Sequence, residues 1–358
     1  MFTNNDHIVE DDLNNIFNKT KNLWPEVKNK NIFLSGGTGF FGIWILKAFI
    51  KANVNLNLNS NIYVLTRNPE NHQKMHPTLH EYDSIKFIKG DIRKFDFLDI
   101  NFDFIIHGAT TNAHETFNKQ DPLLKYDTIV NGTKRILDFA YKCKCKKFLL
   151  ISSGSCYGNV PEQLSKIDEN YNGSPITVDQ NFDFSVLGEA KRMSEMLSNI
   201  YSNKFGIETK IARCFSFVGP YMPLDIHYAI GNFLLDASLG RIINIKGNGK
   251  QVRSYMYISD LIIWLFNILF NGQKNSIYNV GSEERITIYD LAKKISTLSS
   301  KNIDIKILNQ NINSLQNLYI PSTKKINNEL NLGQEINLET AIKKTYNHIN
   351  LNKNFYYI

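Results

Sequence analysis

The stretch NIFLSGGTGFFG, residues 31–42, decides the fold. An apolar run precedes glycines at positions 36, 39 and 42, and a helical pattern from about Ile43 to Ala52 follows them. A strand, a glycine-rich turn and a helix in this order are typical of a dinucleotide-binding loop, in which glycines allow the tight turn, the approach of a pyrophosphate and close helix packing. The alternative is a glycine-rich turn that binds nothing. We expect the following residues to contact a cofactor: Gly36, Thr38, Gly39, Phe40, Phe41 and Gly42.

Short apolar segments alternate with helical patterns along the next part of the chain. The predicted strands are Asn31–Ser35, Ile62–Leu65, Ile85–Ile88, Phe104–His107, Phe148–Ile151 and Thr209–Arg213. Nearly continuous apolar strands separated by helices predict a parallel sheet covered on both faces. From Pro220 onward the pattern loosens into short strands and helices. We therefore predict an N-terminal helical extension (1–30), a doubly wound α/β domain (31–215) and a smaller mixed α/β substrate domain (216–358), with segments that cross back onto the sheet.

Composition narrows the class of protein. The chain has 358 residues, with 41 Lys and Arg against 34 Asp and Glu, and its formal charge is +7. The basic residues are dispersed, so we expect no nucleic-acid partner. The longest apolar run, Leu261–Phe270, is too short to span a bilayer, and no leader peptide is indicated. The four cysteines, Cys143, Cys145, Cys156 and Cys214, show no metal-ligand spacing. We expect a cytoplasmic protein with free thiols, no metal and no membrane partner.

The end of the second predicted strand bears on cofactor choice. NAD-selective proteins usually place an acidic residue there, to accept from the adenosine ribose hydroxyls. Here the segment is Val64-Leu-Thr-Arg67. Because Arg67 can pair with a 2′-phosphate, NADP is favoured over NAD. The alternative is that Arg67 stacks on the adenine or faces solvent. Asp91, after the third strand, lies where it can accept from an adenine amino group.

Ordered motifs along nearly the whole chain resemble the extended short-chain dehydrogenase/reductase superfamily, in its NAD-dependent epimerase/dehydratase branch. They include the glycine loop, Gly90-Asp-Ile-Arg93, Ile106-His-Gly-Ala109, Ser152-Ser-Gly-Ser-Cys-Tyr-Gly158 and Gly188-Glu-Ala-Lys-Arg192. The resemblance implies a Rossmann domain that binds NAD(P), with Ile92 and Ala109 beside the cofactor. It also implies a smaller domain for a nucleoside diphosphate sugar, hydride transfer at a sugar carbon, often C4, and a homodimer.

The resemblance also implies three catalytic side chains, a Ser or Thr, a Tyr base and a Lys four residues after it. Ser153 matches the first and Lys191 the third, which would also bind the nicotinamide ribose. The Tyr position falls on Leu187, whose side chain cannot accept a proton. The proton would then pass to Lys191, through water to Ser153, or to the cofactor ribose.

Two further positions bear on the reaction. Soluble 4,6-dehydratases of the family carry an Asp-Glu pair after the catalytic Thr, whereas this chain has Gly154-Ser155. Epimerisation, ketoreduction or alcohol oxidation therefore fits better than dehydration. On the substrate side, the resemblance makes Asn232 and Arg253 candidates for the diphosphate, with Ser153 and Ser155 near the sugar.

Three functions stay open. The first is an NAD(P)-dependent nucleotide-sugar oxidoreductase or epimerase, which the intact Ser153, Lys191 and glycine loop favour. The second is a catalytically reduced relative that binds NAD(P) or a nucleotide sugar, which Leu187 favours. The third is a 4,6-dehydratase with an atypical proton path.

Overall fold

Strand β1 (Asn31–Ser35) lies inside the main sheet, between β2 (Asn61–Thr66) and β4 (Phe104–His107), and is parallel to both. The computed structural model describes residues 7–110, 121–161, 163–175, 182–225, 228–299, 303–309 and 319–356. The other strands of the sheet are β3 (Ile85–Lys89), β5 (Lys147–Ser153), β6 (Glu208–Cys214) and β11 (Ser276–Val280). These seven parallel strands run in the order β11-β6-β5-β4-β1-β2-β3. The order reverses at β1, which confirms the predicted doubly wound Rossmann class.

Alternate residues of β1 face opposite layers of the core. Ile32 and Leu34 belong to one apolar cluster, whereas Phe33 belongs to another on the opposite face of the sheet. Helices cover both faces, as the sequence predicts. The described helices are α1 (His7–Thr20), α2 (Phe40–Asn55), α3 (Pro69–Met75), α4 (Pro77–His80), α5 (Pro122–Lys142), α6 (Phe182–Phe205), α7 (Ala229–Leu239), α8 (Ile258–Asn271), α9 (Ile288–Ser296), α10 (Lys324–Leu330) and α11 (Leu338–Leu351).

The N-terminal helix is shorter than its apolar pattern suggests. The sequence predicts one helix from about Glu10 to Val27, but α1 ends at Thr20 and a separate 3₁₀ turn follows at Trp24–Val27. Pro25 accounts for the interruption, because it lacks a backbone N–H and cannot continue an α-helix. The helix is fixed to the body of the protein through Asp12, which accepts a hydrogen bond of 2.6 Å from the Tyr257 hydroxyl.

The C-terminal part combines small sheets with segments that return to the main sheet. The small pairs are β7 (Phe217–Val218) with β10 (Met256–Tyr257), β9 (Val252–Arg253) with β12 (Ile286–Thr287), and β8 (Ile243–Ile245) with β13 (Ile305–Ile307). Strand β11 pairs with β6, and α8 packs against β5 and β6. The region after residue 216 therefore crosses back onto the sheet.

Helix α8 contains the longest apolar run of the sequence and is buried along nearly its whole length. Its 14 residues pack against α1 and α2 as well as the sheet, so its apolarity is explained by a core position. Among the described residues, no helix has the combination of length and apolarity that crossing a bilayer requires.

Candidate active site

A cavity of about 1010 Å³ opens where the carboxyl ends of the first strands meet the glycine loop. Doubly wound proteins bind their ligands at this edge, where the strand order reverses. Most of the residues predicted to contact a cofactor line it, namely Gly36, Thr38, Gly39, Phe40, Arg67, Asp91, Ile92 and Ala109. The predicted residues therefore lie together on the wall of one cavity, although they come from four separate segments of the chain.

The glycine loop is shaped by two close backbone approaches. Gly36 has φ of +79°, and a Cβ there would lie 2.6 Å from the carbonyl carbon of Gly108. At Gly42, a Cβ would lie 2.4 Å from the backbone of Gly37. Gly39 is the N-cap of α2, and a Cβ there would meet only the carbonyl oxygen of Gly36, at 3.6 Å. The loop thus exposes the start of α2, and its geometry fits a bound pyrophosphate.

Two residues of the glycine loop that are predicted to contact the cofactor do not line the cavity. Phe41 turns its ring onto Phe217, at 5.1 Å between centroids, and packs into the core instead. Gly42 is buried against the loop backbone, so its contribution is to packing. The helical period explains this difference, because successive residues of the first turn of α2 face different directions.

Asp91 and Arg67 line the end of the cavity where the adenosine of a dinucleotide is predicted to lie, which we call the adenosine end. Charged side chains pair with one another there. Asp91 accepts hydrogen bonds of 2.9 and 2.7 Å from Arg93, which also donates to Asp127. The Arg93 guanidinium lowers the pKa of Asp91 to about 2. Asp91 is therefore an ionised acceptor at the cavity wall, and Arg67 stands exposed beside it. Arg67 can therefore pair with an anionic group of a ligand here, and Asp91 can accept a hydrogen bond from a neutral donor of the same ligand.

Ser153 ends β5 at the same edge of the sheet. Its hydroxyl oxygen caps the 3₁₀ turn Gly154–Tyr157, accepting from the Ser155 N–H at 3.1 Å and from the Ser155 hydroxyl at 2.9 Å. Below it, Ser152 donates to Glu195, which forms a buried ion pair with Arg213 at 2.6 Å. The end of β5 is thus held by a polar network that fixes where the Ser153 hydroxyl lies.

Lys191 reaches the same strand from helix α6. Its Nζ donates to the carbonyl oxygen of Ile151 at 2.9 Å, and the side chain is buried. Burial lowers the pKa of Lys191. The structure therefore brings the two predicted catalytic residues, Ser153 and Lys191, to the end of one strand, although neither lines the large cavity.

Leu187 lies one helical turn before Lys191 on α6. It is half-buried and packs against the cluster of Ile129, Val130 and Ala190. Its side chain belongs to the contact between α5 and α6, and it offers no donor or acceptor to the site.

The predicted substrate-binding residues lie in the C-terminal region. Arg253 is half-buried on β9, and burial lowers the pKa of its guanidinium. Asn232 is half-buried on α7. Neither lines the 1010 Å³ cavity, so the structure does not join them to the cofactor wall, and their role stays a prediction.

Two polar residues of the motifs, His107 and Asn131, bond to neighbouring side chains of the protein itself. His107 is buried between the hydroxyls of Ser35 and Thr133, at 2.7 and 3.0 Å, and burial lowers its pKa to about 3. Asn131 is exposed on α5 and donates to Asp127.

One residue at the site has no counterpart in the predictions. Tyr319 lies far along the chain, yet its hydroxyl oxygen would lie 2.7 Å from a Cβ on Gly154, the residue after Ser153. It follows an Asn-rich stretch without a motif, and only the tertiary bridge between Tyr319 and Arg253 brings it here.

Comparison with known proteins agrees with this geometry. The model of the NAD dependent epimerase/dehydratase family matches residues 32–281. The chain is 30% identical over 284 residues to UDP-glucuronic acid decarboxylase 3 of Arabidopsis thaliana, covering 78% of each protein. It is 27% identical over 285 residues to UDP-glucuronic acid decarboxylase 1 of Danio rerio, covering 79% of this chain and 64% of that protein.

Solved structures share the fold at lower identity. The epimerase Mth375 of Methanothermobacter thermautotrophicus has a TM-score of 0.79 at 19% identity, covering 95% of this chain and 98% of that one. UDP-glucuronic acid 4-epimerase of Bacillus cereus, solved with UDP-glucuronic acid and NAD, has a TM-score of 0.74 at 21% identity, covering 89% and 98%. The glycine loop, the sheet order and the matched span together lead to one conclusion. The chain belongs to the NAD dependent epimerase/dehydratase family.

Proposed function

We propose that the protein is an NAD(P)-dependent nucleotide-sugar oxidoreductase or epimerase that moves hydride at C4 of the sugar. The observation that carries the proposal is the convergence of Ser153 and Lys191 at the end of β5, the edge on which the cofactor cavity opens. Family relatives named for UDP-glucuronic acid support a nucleoside diphosphate sugar as substrate.

Each part of the site would bind a different part of the cofactor or substrate. The backbone N–H groups at the start of α2 would hold the pyrophosphate of the dinucleotide, whose nicotinamide supplies the hydride acceptor or donor when bound. Ser153 would hydrogen-bond the sugar oxygen at the reacting carbon, and Lys191 would hold the nicotinamide ribose. Arg253 would pair with the diphosphate of the sugar nucleotide.

Because Leu187 stands where the family has its Tyr base, the proposal must explain how a proton leaves or reaches the sugar oxygen. A proton must leave or reach the sugar oxygen whenever hydride moves at the same carbon. Leu187 cannot carry it, so the proton must move through Lys191, Ser153 or the cofactor ribose. An alternative function, binding of NAD(P) or nucleotide sugar without turnover, is favoured by the apolar packing of Leu187 against α5.

Among family reactions, we favour those without elimination. Dehydration between C5 and C6 needs an acid and a base, and the turn after Ser153 supplies only Gly154 and Ser155 there. Oxidation at C4 of a sugar acid would also labilise its C6 carboxylate, because the product is a β-keto acid. Decarboxylation is therefore the second candidate reaction, supported by the similarity to UDP-glucuronic acid decarboxylases.

For the cofactor, we propose NADP over NAD, on the strength of the exposed Arg67 at the adenosine end of the cavity. NAD is the alternative, because the UDP-glucuronic acid 4-epimerase of Bacillus cereus, which has a similar fold, is solved with NAD. Direct titration of the purified protein with both reduced cofactors, followed by fluorescence, tests this choice.

We also propose a homodimer through α5 and α6. These helices pack together, yet they leave a group of large apolar side chains exposed: Leu123, Tyr126, Met193, Met196 and Ile200. Exposed apolar side chains on two helices that pack together are what an interface between subunits requires.

The reaction is tested by incubating the protein with each cofactor and with UDP-glucose, UDP-glucuronic acid or dTDP-glucose in turn. Products are read by mass spectrometry and chromatography. An unchanged mass with a new retention time indicates epimerisation, loss of carbon dioxide indicates decarboxylation, and loss of water indicates dehydration. Tight binding with no product, and no hydride exchange with labelled cofactor, would instead support the non-catalytic alternative.

A further inference from the structure

Part of the wall of the 1010 Å³ cavity comes from the C-terminal region. Residues 221–225, which follow β7, line the cavity together with the glycine loop, and so do Phe355 and Tyr356, which follow α11. The predicted substrate residues Asn232 and Arg253 do not line it, so these segments belong to the cofactor side. The family model matches residues 32–281, so Phe355 and Tyr356 lie beyond the matched span, and the family resemblance assigns them no role.

Tyr221 begins the first of these segments in an unusual backbone conformation. Its φ is +70°, in the left-handed region that residues with a side chain rarely adopt. Such a conformation persists only where the surrounding structure holds it. The main-chain N–H of Tyr221 donates to the hydroxyl oxygen of Tyr356 at 2.8 Å. Tyr356 therefore provides a hydrogen-bond acceptor at the strained residue itself.

The hydroxyl of Tyr356 is in turn fixed by helix α11. It lies 3.1 Å from Nδ1 of His348, within hydrogen-bonding distance. Because its oxygen accepts from the Tyr221 N–H, its hydrogen is available to this ring nitrogen. His348 is fully buried near the C-terminal end of α11, which packs against α7. The contact between the two tyrosines is therefore anchored to a packed helix.

Phe355 contacts both Tyr221 and the residue that follows α3. Its ring packs edge-to-face on Tyr221, with 5.4 Å between centroids, and lies 5.3 Å from the ring of His76. The rings of His76 and Tyr221 are 5.7 Å apart. Burial lowers the pKa of His76 to about 3, so its imidazole is neutral and packs with the other two rings. All three rings line the cavity and form one cluster on its wall.

Resting on the proposed binding of a dinucleotide, we propose that Tyr356 and Phe355 are positioning residues for the cofactor, which hold Tyr221 where it forms the cavity wall. The ligand part that they affect is the adenosine diphosphate half of NAD(P), because the cluster includes His76, next to α3, and Arg67 and Asn71 line the same cavity around the start of α3. Without either aromatic residue, Tyr221 is free to leave its left-handed conformation. The wall then opens, and the cofactor dissociates faster.

The test compares Tyr356→Phe with the unmutated protein, using NADPH, NADH and ADP, which carries the adenosine diphosphate half alone. We expect the Kd of all three ligands by calorimetry to rise about tenfold, the effect of one lost hydrogen bond at the wall. For NADPH and NADH, stopped-flow fluorescence should show a faster dissociation rate with little change in the association rate. Tyr289→Phe, an exposed tyrosine on α9 outside the cavity, is the matched control and should leave all of these values unchanged.

A second variant removes the ring packing instead of the hydrogen bond. Phe355→Ala should raise the same Kd values, and combining it with Tyr356→Phe should give less than the product of the two effects, because both act through Tyr221. If Tyr356→Phe lowers the free energy of unfolding but leaves every Kd and dissociation rate unchanged, the inference is overturned while the proposed function stands. If the unmutated protein binds neither NADPH nor NADH, the proposed function fails and the role of Tyr356 fails with it.

Discussion

Lys191 donates from Nζ to the carbonyl oxygen of Ile151, 2.9 Å away, two residues before Ser153 on β5. The bond joins helix α6 to the strand end and fixes the distance between the two predicted catalytic side chains. It also gives the buried ammonium group an acceptor, which a charge removed from water requires. The same contact therefore serves both the packing of α6 and the arrangement of the site.

Replacement of this lysine tests the site most directly. We expect Lys191→Ala to abolish turnover, because it would remove both the proposed contact with the nicotinamide ribose and the positive charge near Ser153. Turnover of each nucleotide sugar that the unmutated protein accepts is the measurement. Lys134→Ala, on the exposed face of α5, is the matched control and should retain full activity. Normal turnover by Lys191→Ala would remove this residue from the mechanism.

A phenol restored to helix α6 should be tolerated. We expect Leu187→Tyr to leave turnover similar or to raise it, since position 187 lies one turn before Lys191 and is only half-buried. Steady-state kcat of Leu187→Tyr and of the unmutated protein gives the comparison. A loss of turnover in Leu187→Tyr would contradict this reasoning.

Cofactor choice should depend on Arg67. We expect Arg67→Asp to weaken NADPH binding about tenfold to a hundredfold, the effect of losing a charge-assisted pair with a 2′-phosphate. NADH binding should change much less, since it lacks this phosphate. Fluorescence titration with both cofactors measures the ratio of the Kd values. Equal weakening of both would show that Arg67 contacts a feature the two cofactors share.

Stability should respond to pH through Asp260, which is buried at the start of α8. Its Oδ2 accepts from the N–H groups of Glu335 and Ile336, at 3.2 and 3.0 Å, whereas Oδ1 has no partner among the described residues. Burial raises its pKa from 3.8 to about 7. The folded state therefore binds this proton more tightly than the unfolded state, so its contribution is complete below pH of about 4 and is lost as pH rises toward 7.

Urea unfolding at several pH values, for the unmutated protein and Asp260→Asn, checks this sign. The free energy of unfolding should fall from low to neutral pH more steeply in the unmutated protein, by a few kcal/mol at most. Taking the difference between the two proteins cancels the titration of all other groups. Parallel curves would show that Asp260 does not titrate in this range.

The sheet could be predicted because its signals are local. Apolar runs such as Phe104–His107 and the glycines after β1 specify strands and a turn without reference to the rest of the chain. The predicted strand Phe148–Ile151 falls within the observed Lys147–Ser153, which extends it to the predicted catalytic serine. The sequence does not predict the short helices α3 and α4, because they span only seven and four residues and lack an apolar period.

Only the part of the site that lies in recognisable motifs could be predicted from the sequence. Ser153 and Lys191 lie in recognisable segments, and the hydrogen bond from Lys191 to Ile151 brings them to the same end of β5. Tyr319 lies in the site because of its bridge to Arg253, a pairing between distant segments that no local pattern specifies. At Phe41 the local pattern is misleading. Its position in the glycine loop predicts a contact with the ligand, but its ring packs on Phe217 instead.

The apolar face of α5 and α6 should control assembly. Met196 and Ile200, one turn apart on α6, are 59% and 48% exposed, and burying them against a second copy would stabilise a dimer by removing apolar surface from water. We expect Met196→Glu combined with Ile200→Glu to yield a monomer, because four like charges would then face each other across a two-fold axis. Light scattering after size-exclusion chromatography measures the mass. The matched control is Leu351→Glu, a similarly exposed apolar residue at the end of α11, which should leave the assembly unchanged. A dimer that persists with both glutamates would place the interface on another face.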